Sequence, residues 1–385
     1  MKTNRVLIIF IIIITVLALC PNTYKVRAES LEESVNEQLE RIDISELEEF
    51  YDSLKNNDID FDVKNFITSV LSGDFKANDN YIMEFILNKV IDNLKTVIPS
   101  LLSIIAVSLL CVLLQNMKGK LTNESVSAVV DFSCLLVVVL ILTVQLSILY
   151  ENSKNTIENL SKLNMIMSPI ILSLMIASGS TVSASVYKPT VLMFSNLVVN
   201  TSINILFPIV IFIVVLSVIS SISYSMKFNK IIDFAKSIFK WIVGLVISIY
   251  GIFMTTQGIA SSVHDGISLK AAKLISNSIP IVGGFLKNGF DFFIAGSVLI
   301  KNSLGYCAII IMFIIAISPI ISCVIYTLVL KLIAGISQTS KCDKISDLCT
   351  MTANGISLLN VVTILVCVMS FTTFLLMILS ANAFL

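Results

Sequence analysis

Apolar residues occur along this chain in long blocks broken by short polar stretches. Seven blocks carry no charged residue: 96–117, 132–150, 163–187, 189–226, 241–263, 302–330 and 348–385. Each has at least 19 residues, enough to cross a hydrocarbon core of about 30 Å at about 1.5 Å per residue. A shorter apolar run, from Val6 to Leu19, follows Lys2 and Arg5 and ends at Cys20-Pro21. Its 14 residues suit the core of a signal peptide better than a crossing. Residues 29–95 differ again. Leu31, Val35, Leu39 and Ile42, then Leu47, Phe50, Tyr51 and Leu54, recur every three or four positions. Ser30 with Glu33 and Ser45 with Glu48 have capping-box spacing. The pattern predicts an all-α polytopic membrane protein with six to eight transmembrane helices behind a small helical external segment.

Basic residues orient the blocks, because lysine and arginine collect on the cytoplasmic side. Lys118 and Lys120 follow the first block, Lys227, Lys230, Lys236 and Lys240 form the densest cluster, and Lys331, Lys341 and Lys344 form a third. One crossing per block would leave the densest cluster outside. An internal repeat offers a way out. Met167-Ser168-Pro169-Ile170 resembles Ser278-Ile279-Pro280-Ile281, Lys188 matches Lys301, Phe207-Pro208 matches Ser318-Pro319, and Lys230–Asp233 matches Lys344–Asp347, all at offsets of 111 to 114. The units run from about 163 to 263 and from 274 to 380. Breaks at Ser178-Gly179-Ser180 and Gly283-Gly284 predict re-entrant hairpins at 163–187 and 274–300, entering from outside. Six crossings then place all three basic loops inside and the C-terminal end outside. An eight-crossing arrangement, with 189–226 split near Asn200–Asn204, places the same loops inside. Residues 228–240, with Phe228, Ile231, Ile232, Ala235, Ile238 and Phe239 on one face, read as a short interfacial helix anchored by Trp241.

Composition agrees with the pattern: 56% of residues are hydrophobic and 14% charged, with mean hydropathy +0.93. Soluble domains carry about 25% charged residues, so a soluble enzyme is nearly excluded. The net charge is zero, which disfavours a nucleic-acid partner. Its distribution is uneven. Residues 1–28 hold four bases and no acid, 29–95 hold 17 acids against 6 bases, and 96–385 hold 16 bases against 9 acids. The first block is a signal peptide with cleavage expected after Ala28, or else a retained anchor. The second is an acidic extracytoplasmic segment, a self-packed cap or a docking surface. The third is the membrane domain.

Chemistry-bearing residues are few. His264 is the single histidine, which removes histidine-rich metal sites and Ser-His-Asp catalysis. No phosphate-binding Gly-x-x-x-x-Gly-Lys-Ser/Thr loop occurs. The eight cysteines lie mostly in apolar segments, where they act as small hydrophobes. The reading is therefore of a protein without catalytic, cofactor-binding or metal-ligating residues, and not an enzyme. What remains is polarity inside the membrane blocks: Asn196, Asn200 and Asn204 at four-residue spacing, Thr255, Thr256, Gln257 and Gly258, then Asn354 and Asn360. Lys287 and Asp291, at i and i+4, can neutralise each other on a hairpin helix. Polar groups at such depth line a pathway or join helices. The candidate pathway residues are Ser178, Gly179, Ser180, Gln257, Gly283, Gly284, Lys287 and Asp291.

The stretch from Val263 to Lys273 (VHDGISLKAAK), Ile279-Pro280-Ile281-Val282-Gly283, and Leu299-Ile300-Lys301-Asn302 with Gly305 together resemble the stage III sporulation protein AE family. Gln257-Gly258 and the Ser168-Pro169 and Lys188-Pro189 positions fit the same pattern. Gly258, Asp265, Gly266, Lys273, Pro280, Lys301, Asn302 and Gly305 are the motif positions. The resemblance covers essentially the whole chain and is most specific over 257–305.

It implies an endospore-forming bacterium and a location in the mother-cell membrane around the forespore. It also implies membership of a complex with sibling stage III sporulation proteins, among them a cytoplasmic ATPase and ring-forming subunits. Stage II sporulation protein Q of the forespore is an indirect partner, and membrane lipid the surrounding medium. The expected role is a permease-like or export-platform component of a channel between the two cells, with substrate unknown. The alternatives are a structural anchor for the ring proteins and an independent small-solute transporter.

Overall fold

The computed structural model describes residues 45–54, scattered positions between 88 and 113, and most of 124–379. Within that last stretch 179, 181–183, 186, 188, 190–192, 223–227, 277–282 and 340–341 are not described. Of 124–128, 130–131, 195, 256–276 and 283–295 only the backbone is. Every assigned element among the described residues is helical: α1 Ser45–Leu54, α2 Glu124–Ala177, α3 Phe207–Ile222, α4 Asn229–Ser276, α5 Gly283–Thr339 and α6 Asp343–Leu379. Among the described residues, five stretches are long and apolar enough to cross a bilayer: Phe132–Ala177, Asn196–Ile222, Asn229–Thr255, Gly296–Thr339 and Asp343–Leu379. The signal peptide, most of the acidic segment and most of the block at 96–117 lie outside the described residues.

The one described helix of the acidic segment behaves as its periodicity predicts. Leu47, Phe50 and Tyr51 are buried in the main core cluster while Glu46, Glu49 and Asp52 stay exposed. The helix packs against α2, so its apolar stripe is spent within this chain.

The long helices correct the hairpin reading. α2 runs unbroken for 54 residues, through the polar stretch 151–162 and on to Ala177. Its core-facing stripe explains why. Leu149, Ile157, Leu160, Leu163, Met167, Ile171 and Leu174 are all buried at helical spacing, so the charged residues Glu151, Lys154, Glu158 and Lys162 keep to the opposite face, while Ser153 and Thr156 are buried with the stripe. The predicted break does exist: the Ser178 N–H donates to Leu174 O and the Ser180 N–H to Met175 O, beyond the last helical residue. Residues 163–177 are the end of a 54-residue helix rather than one arm of a short re-entrant loop. Likewise 283–300 is the opening of the 57-residue α5, not half of a hairpin. The eight-crossing split fails too, because the helix from Phe194 to Ile222 is continuous. Phe194–Val199 and Ser202–Leu206 are π-helical. Pro208 follows directly, and its ring would crowd the carbonyl four residues back in a regular α-helix, so a wider turn before it relieves the clash. Residues 228–240 form no separate interfacial helix. They open the 48-residue α4, with Ile232, Ala235 and Phe239 buried and Ile231, Ile238 and Trp241 exposed.

Cross-helix contacts give the directions. Gln145 on α2 accepts from Tyr326 on α5 at 2.6 Å, and Asn164 on α2 reaches Ser370 on α6. Phe313 and Phe371 bring α5 and α6 together, as do Gly305 and Ile378. On the other side, Ser221 meets Met351 and Gly355 meets Val214. Thus α2 and α6 run one way, and α3 and α5 the other. α5 and α6 pack along most of their length and form the centre.

Most hydroxyls in these helices need no neighbour. Thr143, Ser217, Ser303, Thr352 and Thr363, among others, donate to the carbonyl four residues back, a local solution that keeps a polar group satisfied in an apolar medium. The six described cysteines are all free and buried.

Candidate functional site

A helix leaves its last four carbonyls without intrahelical donors. At the end of α6 those carbonyls, and the turns just before them, gather polar side chains from across the bundle. Lys301 on α5 donates from Nζ to Ile378 O at 2.9 Å. The Tyr187 hydroxyl donates to Leu376 O at 3.2 Å. The Tyr250 hydroxyl on α4 reaches Met369 O at 3.0 Å and pairs with the Thr373 hydroxyl. Asn164 on α2 donates to Ser370 Oγ at 2.6 Å and to Leu160 O at 2.8 Å. Three long helices and the segment around Tyr187 therefore converge on residues 369–378.

Lys301 is fully buried. A buried cation is tolerated where donors meet acceptors and where a field opposes its desolvation. The carbonyl end of α6 supplies both, since its macrodipole places partial negative charge there. Gly305, one turn further along α5, makes the approach possible. A Cβ at that position would sit 2.3 Å from Ile378 Cγ1, so only glycine lets the helices meet this closely. Lys301 and Gly305 thus address the same residue of α6, one through its carbonyl and one through its side chain.

Not every polar atom is satisfied. The amide oxygens of Asn164, Asn302 and Asn360, and the Ser180 hydroxyl, are buried without a hydrogen-bond partner. Such groups are costly unless water or a ligand reaches them. Asn164, at 0% exposure, and Asn360, at 7%, lie well inside the bundle.

The predicted residues separate clearly. Lys301, Asn302 and Gly305 lie at this convergence. Ser178 and Ser180 are buried just beyond the end of α2, with Ser178 Oγ donating to Met175 O at 2.8 Å. Gly179 and Pro280 lie outside the described residues. Gln257, Gly258, Asp265, Gly266 and Lys273 lie on α4, and Gly283, Gly284, Lys287 and Asp291 on the first turns of α5, each with backbone alone described. Asn200 and Asn204 bond to each other and, with Asn196, stay exposed. Sequence reasoning missed Asn164, Tyr187, Tyr250, Ser370 and Thr373. The available signal was a lone amide or phenol inside an apolar block, groups that need a partner once buried.

The helical architecture, the five crossing-length stretches and the polar convergence inside them define a polytopic helical integral membrane protein. The chain belongs to the stage III sporulation protein AE family, whose sequence pattern matches residues 61–381. It is 26% identical over 237 residues to the Bacillus subtilis (strain 168) protein named Stage III sporulation protein AE, an alignment spanning 61% of this chain and 59% of that relative. No solved structure matches it. The family gives the protein a role in sporulation.

Proposed function

We propose that this chain is the membrane-embedded component of a channel or secretion-like complex between mother cell and forespore, acting as a permease-like or export-platform subunit. In this reading it sits in the mother-cell membrane around the forespore, with its mature N-terminus outside the cytoplasm. It performs no catalysis of its own. Energy comes from a cytoplasmic ATPase among its sibling stage III proteins, and ring-forming siblings continue the path toward stage II sporulation protein Q.

The observation that supports a transport role is the set of buried amide oxygens left without donors, at Asn164, Asn302 and Asn360. A bundle that served only as an anchor would gain from apolar residues at these places, because an unsatisfied buried acceptor costs about 1–3 kcal/mol. Retaining three of them fits an interior that water or a passing solute visits.

A second reading has its own support. Lys301 and Tyr187 close the end of α6, which is what a rigid scaffold for ring proteins requires. Replacing Asn164 and Asn302 singly by Leu, and Lys287 and Asp291 singly by Ala, distinguishes the two. Spore formation and the amount of protein in the membrane are followed together. Loss of spores at unchanged protein level is the expected result. Normal sporulation in all four variants would remove the pathway and leave the scaffold.

A further inference from the structure

Asn164, Phe194, Tyr250 and Ser370 lie at one level of the bundle, because Tyr250 touches Phe194 and the 369–373 turn while Asn164 bonds Ser370. Moving about 15 Å from this level toward the lysine-rich start of α4, at about 1.5 Å per residue, covers 155–162 on α2, 196–204 before α3, and 241–249 on α4. The start of α4 confirms the direction, since the Phe228 N–H bonds Ser220 Oγ near the far end of α3.

Within this one band the protein presents two unlike surfaces. α4 exposes Trp241 by 77%, Leu245 by 55% and Ile249 by 39%, a face made for acyl chains. α2 and the helix leading into α3 expose Asn155, Lys162, Asn196, Asn200 and Asn204, beside the half-exposed Lys154–Glu158 pair at 3.9 Å. These two helices are neighbours, with the rings of Tyr150 and Phe207 5.2 Å apart at the lower edge of the band. An apolar face on one side places the band in the bilayer. A charged and amide-rich face at the same height therefore does not meet lipid, where such groups are expensive.

We propose that this polar face of α2 and the π-helical segment is the contact between two copies of this chain. Its chemistry is self-complementary. Copies in one membrane are related by rotation about the membrane normal, so each residue meets residues of its own height. The amides of Asn200 and Asn204 carry both donors and acceptors, so like pairs with like. Around them Glu151 and Glu158 balance Lys154 and Lys162, each acid within one turn of a base. A face dedicated to one ion type would carry one sign; this one is neutral and alternating. This surface is distinct from the interior amides of Asn164, Asn302 and Asn360.

The test uses the full chain in its native membrane. A photoreactive benzoylphenylalanine replaces Asn200 or, separately, Leu245. Irradiation is expected to give a product of two copies from position 200 and none from position 245. Adducts from position 200 with lipid, with another protein, or with residues before 124 of the same chain would overturn the proposal. In addition, Asn200→Leu with Asn204→Leu is expected to lower co-purification of two differently tagged copies about tenfold, at unchanged amounts in the membrane. Undiminished recovery would also overturn it.

Discussion

α3 with α4, and α5 with α6, follow one plan: a proline-bearing helix runs one way, a basic loop follows, and a second helix returns. Their surroundings are opposite. In their most apolar stretches 33% of the α3 region and 22% of α4 is buried inside the protein, against 56% of α5 and 67% of α6. The first pair is a rim and the second an axle, although Asn196–Ile222 and Gly296–Thr339 have the same hydropathy of 2.9. Hydropathy reports that a segment prefers to leave water; it does not distinguish lipid from protein as the destination. What marks α6 is glycine at two of its contacts, with α5 and with α3, although Gly335 near the end of α5 has nothing within 4 Å. Gly305 against Ile378 and Gly355 against Val214 have no equivalent at Gly244 or Gly251 on α4, where a Cβ would meet nothing within 4 Å.

The comparison is open to attack in four places. Phe374, at 0% exposure on α6, should give the largest loss when changed to Ala, about 3–5 kcal/mol of stability, measured by thermal melting in detergent. A small effect there would mean that α6 is not the axle. Gly305→Ala and Gly355→Ala should each cost about 1–3 kcal/mol by overpacking, since the obstructing atoms belong to stiff β-branched side chains. Asn164→Leu should change stability by only about 1 kcal/mol, because it exchanges the hydrogen bonds to Ser370 and Leu160 for relief of an unsatisfied oxygen. On the rim, Gly244→Ala and Trp241→Ala should stay within about 0.5 kcal/mol. A rim substitution that destabilised the isolated chain as much as Gly305→Ala would erase the distinction.

The helical class, the long apolar helices, the stripe of α1 and the helix break at Ser178 were legible in the sequence. The course of α2 was not, and the reason is specific. Scanning for charge-free blocks treats all faces of a helix alike, so Glu151, Lys154, Glu158 and Lys162 read as a gap between two blocks. They occupy one face, while Ile157, Leu160 and Leu163 carry the core stripe past them. The site was half legible. Lys301 and Gly305 stood out through motif resemblance, but their acceptor, Ile378, is an ordinary apolar residue chosen by its position at a helix end. Asn164 and Tyr250 escaped for a related reason: one polar group in an apolar run acquires meaning only when its cross-bundle partner is known.

Lys301 also carries a consequence for biogenesis. Its acceptor at Ile378 lies 77 residues later in the chain. At synthesis rates of about 5–20 residues per second, the lysine leaves the ribosome roughly 4–15 s before the carbonyl that receives it exists. During that interval the insertion machinery holds a cation in the stretch of α5 between Asp291 and Lys331 that has no other charge, with the terminal turn of α6 still unmade. Chains interrupted within α6 would lack that carbonyl, giving membrane proteases a mark that completed chains conceal.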